Sequence, residues 1–186
     1  MRIFVAIVPA ADETERLYVA ARELRQASFP IRWMPPENIH LTLKFLGELS
    51  GDRIADLGDA LGQALADVRA FEIRLDGFGA FPSPRRPSVV WAGVESNPHL
   101  EDVYERVEGA LAELGHPRET REFHPHLTLG RARKGNGPRQ FRGLAELLGT
   151  LSWTDTFGVG AVDVVRSEPK PTGAEYDTLR RLELRR

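Results

Sequence analysis

A chain of 186 residues, 41% of them hydrophobic, can bury a substantial core as one domain or two small lobes. Its net charge of −2 excludes the generally basic surface of proteins that hold long nucleic acids through their phosphates. The absence of cysteine excludes disulfides, thiolate zinc sites and cysteine nucleophiles. Because no apolar run in the sequence reaches the roughly 18 residues needed to cross a membrane, we expect a cytoplasmic protein.

The first half of the sequence predicts alternating strands and helices. Its apolar opening faintly resembles a signal peptide, but the short length and β-branched residues favour a buried strand. Asp12 and Glu15 form an acidic capping box at the start of a helix, and Ser50 can cap a second helix. In order, the predicted elements are a strand at 3–8, a helix at about 12–27, a proline-bounded connector at 33–36, a strand at 39–46 ended by Gly47, a helix from about 50 to 68 and a strand that begins at 71.

The second half predicts the same alternation, followed by a hairpin. Asn97 and Pro98 are a favourable helix start, with asparagine as the cap and proline at the first helical position. The glycine- and proline-rich turn at 77–87 carries the adjacent Arg85 and Arg86. The predicted elements are a strand at 88–94, a helix at 97–115, a polar connector at 116–123, a strand from 126, a basic segment at 131–142, a short helix at about 141–148 and a hairpin of 157–165 and 175–184 joined through 169–173.

The tetrapeptide His-Leu-Thr-Leu occurs twice, at 40–43 and at 126–129, with a separation of 86 residues. The same shift places the first strand on residues 89–94 and Phe71 on Phe157, so the flanking elements match as well. We therefore interpret the chain as an internal duplication rather than as a chance repeat of four letters.

This duplication predicts the fold class. We expect an α+β protein made from a duplicated strand–helix–strand–helix–strand unit, with two pseudo-symmetric lobes whose antiparallel sheets surround a central cleft. Residues 1–186 would form a single bilobal domain, with one repeat at about 1–81 and the other at about 88–186.

The repeated strands predict a site for a phosphodiester. Alternate side chains on a strand share a face, so His40 and Thr42 point away from the core leucines, as do His126 and Thr128. Across a cleft, a neutral imidazole would accept a proton from water and a protonated one would donate a proton to the leaving oxygen. The two hydroxyls would donate hydrogen bonds to the non-bridging oxygens.

A histidine at the start of one strand is usually structural or solvated, and only the matched second copy favours a catalytic pair. His99, His116 and His124 have no such counterpart, and we expect them to be structural or exposed. Two histidines without a suitably spaced Asp, Glu or Cys are too few for a closed metal site, so we expect no metal and no cofactor.

The segments HLTLKFLG from His40 and HPHLTLGR from His124 resemble the paired H-x-T-x motifs of the 2H phosphoesterases. Among these, the chain resembles the bacterial and archaeal RNA 2′,3′-cyclic phosphodiesterases, first described as 2′-5′ RNA ligases. The resemblance spans nearly the whole chain and includes Arg2 to Val8, Phe81, the run Val90-Trp91-Ala92-Gly93, and Tyr176.

This resemblance implies metal-independent hydrolysis of a 2′,3′-cyclic phosphate to a 2′-phosphomonoester. It also implies that His40 is the general acid and His126 the general base, whereas the residues alone leave this polarity open. Thr42 and Thr128 bind phosphate under both arguments. Arg131 matches the arginine that closes the family's second motif, which implies contact with phosphate or base.

Three features remain open in the sequence. Strict alternation puts Arg131 on the face opposite His126, so its role requires a local departure from the strand, which Gly130 makes easier. Lys44 shares parity with His40, so it would bring charge to the cleft or reach solvent. The basic segment 131–142 would be solvated or hold an RNA strand. Candidate residues for stacking a base are Phe4, Phe45, Phe78 and Phe81.

Two other functions fit the same residues. The site would serve a 2′-5′ RNA ligase or 2′-5′ phosphodiesterase, because ligation is the reverse reaction with a 5′-hydroxyl in place of water. Alternatively, the chain would be a non-catalytic RNA- or nucleotide-binding module. The expected partners are RNA with 2′,3′-cyclic ends or small cyclic nucleotides, with no membrane and no obligate protein partner, and we expect a monomer.

Overall fold

The structure is a computed structural model that describes residues 1–170 and 173–186. In the first half of the chain the elements are β1 (Arg2–Ile7), α1 (Ala11–Ala20), α2 (Arg22–Gln26), β2 (Ile31–Trp33), β3 (Leu41–Glu48), α3 (Arg53–Ala64) and β4 (Phe71–Phe81). In the second half they are β5 (Val89–Val94), α4 (Pro98–Glu113), β6 (His126–Ala132), α5 (Leu144–Thr150), β7 (Thr154–Val159), β8 (Ala161–Lys170) and β9 (Gly173–Glu183).

The nine strands of the described residues belong to one antiparallel sheet. The order is β7-β4-β5-β6-β3-β1-β8-β9, and the short β2 pairs with β6. The two motif strands, β3 and β6, lie at its centre and are joined at Leu41 and Leu127. Moving outward from this pair, β5 corresponds to β1 and β4 corresponds to β8, which is the expected pseudo-symmetry.

The two halves of the sheet exchange strands. β4 ends the first repeat but pairs with β5 and β7 of the second repeat. Likewise, β8 comes late in the second repeat but pairs with β1. Each half of the sheet is therefore completed by the other repeat, and the core and the central cleft depend on both copies.

The helices cover one face of the sheet and bury the apolar side chains of the motif strands. α4 packs on β3, α3 packs on α4 and β9, and α5 packs on β4. The four motif leucines are between 0% and 5% exposed and belong to the main core cluster: Leu41, Leu43, Leu127 and Leu129. Each such burial contributes about 1.5–3 kcal/mol, so the leucines fix which face of β3 and β6 is left for the cleft.

The first predicted helix differs from the structure at its start and in its middle. A single helix at 12–27 is wrong, because the chain breaks at Ala21 into α1 and α2. The helix begins at Ala11, so the capping acid is Glu13 rather than Glu15. The Glu13 carboxylate accepts a hydrogen bond of 2.9 Å from the backbone N–H of Ala10. A glutamate performs this role three residues into a helix, which Glu15 is too late to do.

The sequence predicted the start of α4 correctly but the bounds of α3 incorrectly. α3 begins at Arg53 and ends at Ala64, so Ser50 does not cap it and the predicted end at 68 is too late. The Asn97 cap of α4 is confirmed, because its side-chain oxygen accepts hydrogen bonds from the backbone N–H groups of His99 and Leu100.

Several strand boundaries also differ from the predictions. Gly47 lies inside β3 with φ of +73°, rather than ending the strand. β4 continues to Phe81 through the first part of the predicted turn. The predicted strand at 157–165 is divided at Gly160 into β7 and β8. The hairpin with β9 is confirmed, and its predicted connector includes residues 171–172, which lie outside the described residues.

Candidate active site

The two motif strands bring both His/Thr pairs to one place. Leu41 is opposite Leu127, so the antiparallel register puts His40 opposite Thr128 and Thr42 opposite His126. All four of these polar side chains line a cleft of about 650 Å³. The motif strands are thus neighbours in one sheet rather than opposite walls, and the polar residues share the face that the leucines leave free.

A β-bulge in β6 brings Arg131 into this cleft. Thr128 is opposite Trp91 and Gly130 is opposite Val90, so Leu129 is an extra residue without a partner. Because the bulge reverses the alternation, Arg131 returns to the face of His126. The exposed Arg131 lines the cleft, which is the local departure that its predicted role requires.

Gly130 follows the bulge because no side chain fits there. A Cβ atom at Gly130 would lie 2.6 Å from Cγ2 of Ile31 and 2.9 Å from Cε3 of Trp33. These residues belong to β2, which pairs with this part of β6. The glycine therefore lets β2 lie against the motif strand immediately beside Arg131.

β3 contains the equivalent bulge, 86 residues earlier. Thr42 is opposite Ala6 and Lys44 is opposite Val5, which leaves Leu43 as the extra residue. Because of this bulge, Lys44 no longer shares a face with His40 by strict alternation. Phe45, at the position equivalent to Arg131, lines the cleft and is 68% exposed.

Lys44 forms a buried ion pair. It is 8% exposed, and its Nζ lies 2.7 Å from Oε1 of Glu108 on α4 and 2.8 Å from the carbonyl oxygen of Pro117. The interpretation as a solvated lysine is therefore wrong. Lys44 does line the cleft, but its charge is paired with Glu108. The pair ties β3 to α4 and to the connector after that helix.

Both imidazoles are oriented by the same backbone contact. Nδ1 of His40 lies 2.8 Å from the carbonyl oxygen of Asn38, and Nδ1 of His126 lies 2.7 Å from that of His124. A carbonyl only accepts hydrogen bonds, so Nδ1 carries the proton in each case. Nε2 is left to exchange a proton with a ligand, and the ring orientation is fixed.

Aromatic rings surround each histidine, but they come from different strands. The ring centroid of His40 lies 4.7 Å from that of Phe4 and 5.0 Å from that of Tyr176. His126 lies 5.1 Å from Phe81. The contact between Tyr176 and His40 joins residues far apart in the chain, and sequence reasoning missed it because periodicity carries no information at that range.

The four phenylalanines proposed for base stacking differ in how far they are buried and in whether they reach the cleft. Phe78 packs in the core and stacks on Trp153 at 5.5 Å. Phe4 is buried beside His40, and Phe81 borders the cleft beside His126. Phe45 is the ring with an exposed face in the cleft, so it is the one best placed to receive a base.

The surroundings of both histidines disfavour positive charge on their rings. Burial lowers the pKa of His40 to about 4, and nearby positive charge from Arg131 and His126 adds to this effect. Burial also lowers the pKa of His126, with Arg131 again contributing. Both rings are therefore neutral at pH 7 in the free protein, and a bound anion would raise both pKa values.

The remaining histidines lie outside the pair. His99 is exposed and lies 5.7 Å from the ring of Phe71, and His124 is exposed and supplies the carbonyl that orients His126. His116 is half-buried at the edge of the cleft, where burial lowers its pKa. Across residues 1–170 and 173–186, three or more His, Asp or Glu side chains nowhere gather closely enough to hold a metal ion.

The family of LigT-like phosphoesterases matches residues 8–91 and matches again at residues 93–176, so the family occurs twice in succession along the chain. The chain belongs to this family. The resemblance to the 2H phosphoesterases and the duplicated α+β fold class are thereby confirmed.

One relative and two solved structures match over nearly their full length. The RNA 2′,3′-cyclic phosphodiesterase of Methanothermobacter thermautotrophicus is 34% identical over 95% of both chains. A crystal structure of a Thermus thermophilus protein is similar with a TM-score of 0.78 and 31% identity, covering 100% of this chain and 98% of that one. Escherichia coli LigT complexed with 3′-AMP gives a TM-score of 0.74 and 26% identity over 100% and 98%. No helix in the described part of the chain is long and apolar enough to span a membrane.

Proposed function

We propose that the protein hydrolyses 2′,3′-cyclic phosphate ends of RNA to 2′-phosphomonoesters, without a metal ion. The observation that carries this proposal is the pair of backbone-anchored imidazoles, each with a threonine, on one face of the joined strands β3 and β6. Such a pair supplies an acid and a base at the same phosphorus. Relatives that carry the name RNA 2′,3′-cyclic phosphodiesterase support the choice of substrate.

In this mechanism His126 is the general base and His40 the general acid. Nε2 of His126 accepts a proton from water as the water oxygen attacks phosphorus. The bond from phosphorus to the 3′-oxygen breaks, and Nε2 of the protonated His40 donates its proton to that oxygen. The product retains the 2′-phosphate, and the two imidazoles have exchanged protonation states. The polarity rests on the family resemblance, since both rings have the same anchoring contact.

Thr42, Thr128 and Arg131 hold the phosphate. Each threonine is opposite a histidine in the register and lines the same cleft as both histidines. Hydrogen bonds from the hydroxyls and the guanidinium stabilise the charge that grows on the non-bridging oxygens. Burial and, to a smaller extent, the charge of Arg131 lower the pKa of both histidines, and the negative charge of a bound substrate opposes this shift. Binding therefore favours the protonated acid.

The experiment that tests this function is end-group identification. An oligoribonucleotide with a 2′,3′-cyclic end is incubated with the protein in excess EDTA, and the products are separated. We expect a 2′-phosphate as the product. Persistence of the cyclic end, or a 3′-phosphate as the sole product, would contradict the proposal. Tight binding of the oligonucleotide without turnover would favour the non-catalytic binding module.

The ligase alternative is tested in the same preparation. RNA fragments with 5′-hydroxyl ends, such as tRNA halves, are added in excess to the cyclic-ended strand. Hydrolysis requires that water outcompetes them, so we expect 2′-phosphate to remain the main product. A 2′-5′-linked product in its place would establish the reverse reaction as the activity.

Four further statements stay predictions. They are a single bilobal domain at 1–186 with repeats at about 1–81 and 88–186, a monomeric state, a cytoplasmic location, and the absence of an obligate protein partner. Size-exclusion chromatography with light scattering tests the oligomeric state directly, and a dimer would contradict it.

A further inference from the structure

Two arginines lie side by side at the edge of the proposed active site. Arg32 of β2 is directly opposite Arg131 of β6, and both are exposed. Like charges opposite each other on neighbouring strands repel, which destabilises the pair unless an anion lies between or above them. Within residues 1–170 and 173–186, neither arginine has a carboxylate within 4.0 Å.

A groove leads from the cleft past these arginines. It has a volume of about 290 Å³, is lined by both Arg32 and Arg131, and shares Met34, Arg131 and Tyr176 with the main cleft. Glu175 brings a carboxylate to its lining, but the Glu175 side chain lies 3.8 Å from Nζ of Lys170. The groove is therefore continuous with the site and carries unpartnered positive charge.

The surroundings of the groove extend this positive charge. The segments 30–36, 82–88 and 131–143 hold eight arginine and lysine residues and none of the 27 acidic residues of the chain. The sheet brings them together, because the backbone N–H of Ala132 bonds to the carbonyl of Ser88 at 3.0 Å and that of Arg133 bonds to Pro30 at 2.8 Å. In a chain of net charge −2, this end of the sheet is a local basic surface.

We propose that Arg32 forms a second phosphate subsite, which holds the phosphodiester on the 5′ side of the terminal nucleotide. The inference rests on the proposed function. A cyclic phosphate is the 3′ end of its strand, so the rest of the RNA leaves the cleft in the 5′ direction. That strand needs a groove that is continuous with the site, open to solvent and positively charged. The groove at Arg32 meets these three conditions, and a second phosphate placed there relieves the repulsion between Arg32 and Arg131.

The subsite would contact an oligonucleotide but not a mononucleotide, so the experiment compares these two substrates. Hydrolysis is measured for a nucleoside 2′,3′-cyclic phosphate and for a short oligoribonucleotide that ends in the same nucleoside. The test variant is Arg32→Gln. The matched control is Arg22→Gln, which removes the same charge from an exposed position on α2, outside the cleft lining.

For Arg32→Gln we expect kcat/KM on the oligonucleotide to fall about tenfold, the scale of one lost charge-assisted phosphate contact. The value on the mononucleotide should change less than about twofold, because that substrate has no second phosphate. The control should change neither. The slope of log kcat/KM against log salt concentration on the oligonucleotide should also become shallower by roughly 0.7, the value for one phosphate contact to a single strand.

The outcomes separate the subsite from the function that underlies it. Failure of the wild-type protein to hydrolyse either substrate would sink the proposed function itself. If the wild-type protein is active but Arg32→Gln leaves the oligonucleotide rate and salt slope unchanged, the subsite is wrong. An equal loss on both substrates would also overturn it, because Arg32 would then act on the terminal phosphate or the fold. The double variant Arg85→Gln/Arg86→Gln supplies a second test, with a smaller loss expected on the oligonucleotide alone.

Discussion

The two motif strands are the most informative comparison within this molecule. β3 and β6 share the His-Leu-Thr-Leu tetrapeptide, a histidine Nδ1 bonded to the carbonyl two residues earlier, and a bulge at the last leucine. They differ immediately after the bulge. Lys44 and Phe45 in the first strand correspond to Gly130 and Arg131 in the second.

This difference shows which parts of the site are symmetric and which are not. The backbone and the tetrapeptide place two equivalent imidazoles, whereas the residues after the bulge give one half an exposed ring and the other a guanidinium. A substrate with an aromatic base at one end and a phosphate at the other would therefore bind in one preferred orientation, because the two ends of the cleft differ. If the two histidines performed the same catalytic step, this asymmetry would be contradicted. If they perform different steps, it is supported.

The largest expected effect is the loss of either histidine. His40→Ala and His126→Ala should each lower kcat on an RNA cyclic phosphate by about 10²–10⁴-fold, because each removes one proton-transfer group. Steady-state hydrolysis of a cyclic-ended oligonucleotide measures this. His99→Ala, an exposed histidine outside the cleft, is the control and should keep the wild-type rate. Wild-type rates in both cleft variants would exclude an acid–base pair at this site.

The second prediction concerns the first motif strand alone. Lys44→Met leaves the carboxylate of Glu108 buried without its cation, so it should lower the free energy of unfolding by about 3–5 kcal/mol. The double variant Lys44→Met/Glu108→Leu removes both charges and should recover much of this loss. Urea unfolding of the wild type, Lys44→Met, Glu108→Leu and the double variant provides the measurement. If Lys44→Met unfolds like the wild type, the buried pair contributes little.

How much of this could be read from the sequence depends on the range of the interaction. The period of two fixes His40 and Thr42 on one face, and the repeat adds His126 and Thr128, so the four central residues were predictable. The bulge at Leu43 has no local signal, which is why the burial of Lys44 and its ion pair with Glu108 were not predicted. The second bulge was partly signalled by Gly130, since a glycine inside a strand often marks a bulge.

Long-range pairing explains the rest of what the sequence could not predict. The exchange of β4 and β8 between the two halves depends on which strands find each other, and strand periodicity does not encode this. The contact of Tyr176 with His40 and the register of Arg32 with Arg131 follow from the same pairing. Residues that surround the two cleft histidines were therefore harder to place than the histidines themselves.

The third prediction concerns the contribution of His40 to the pH dependence of stability. The pKa of His40 is lowered to about 4 in the folded protein, whereas it is near 6.5 when unfolded. The unfolded state therefore binds more protons between these values, and stability should fall as pH decreases from about 6.5 to about 4. The loss attributable to His40 is of the order of 3 kcal/mol. Urea unfolding from pH 7 to pH 4 of the wild type and His40→Gln measures it. A parallel dependence in both proteins would contradict the lowered pKa.

The smallest expected effect tests whether the two threonines are equivalent. Thr42→Val and Thr128→Val each remove one hydrogen bond to a charged phosphate oxygen, so each should lower kcat/KM by about tenfold. The two losses should agree within a factor of about three, because the tetrapeptides share their backbone geometry. Kinetics on the cyclic mononucleotide avoid contributions from the rest of an RNA strand. A loss confined to one variant would show that the phosphate lies on one side of the pseudo-symmetric cleft.

The central claim is that two identical tetrapeptides perform different steps, with His40 as the acid and His126 as the base. The most direct measurement uses a cyclic substrate whose 3′-oxygen is replaced by sulfur, because a thiolate leaves without protonation. Release of the 3′-thiol is followed for the wild type, His40→Ala and His126→Ala. We predict that His40→Ala approaches the wild-type rate on this substrate while His126→Ala stays impaired. Recovery of His126→Ala in place of His40→Ala would reverse the assignment, and recovery of neither would contradict acid catalysis of the leaving group.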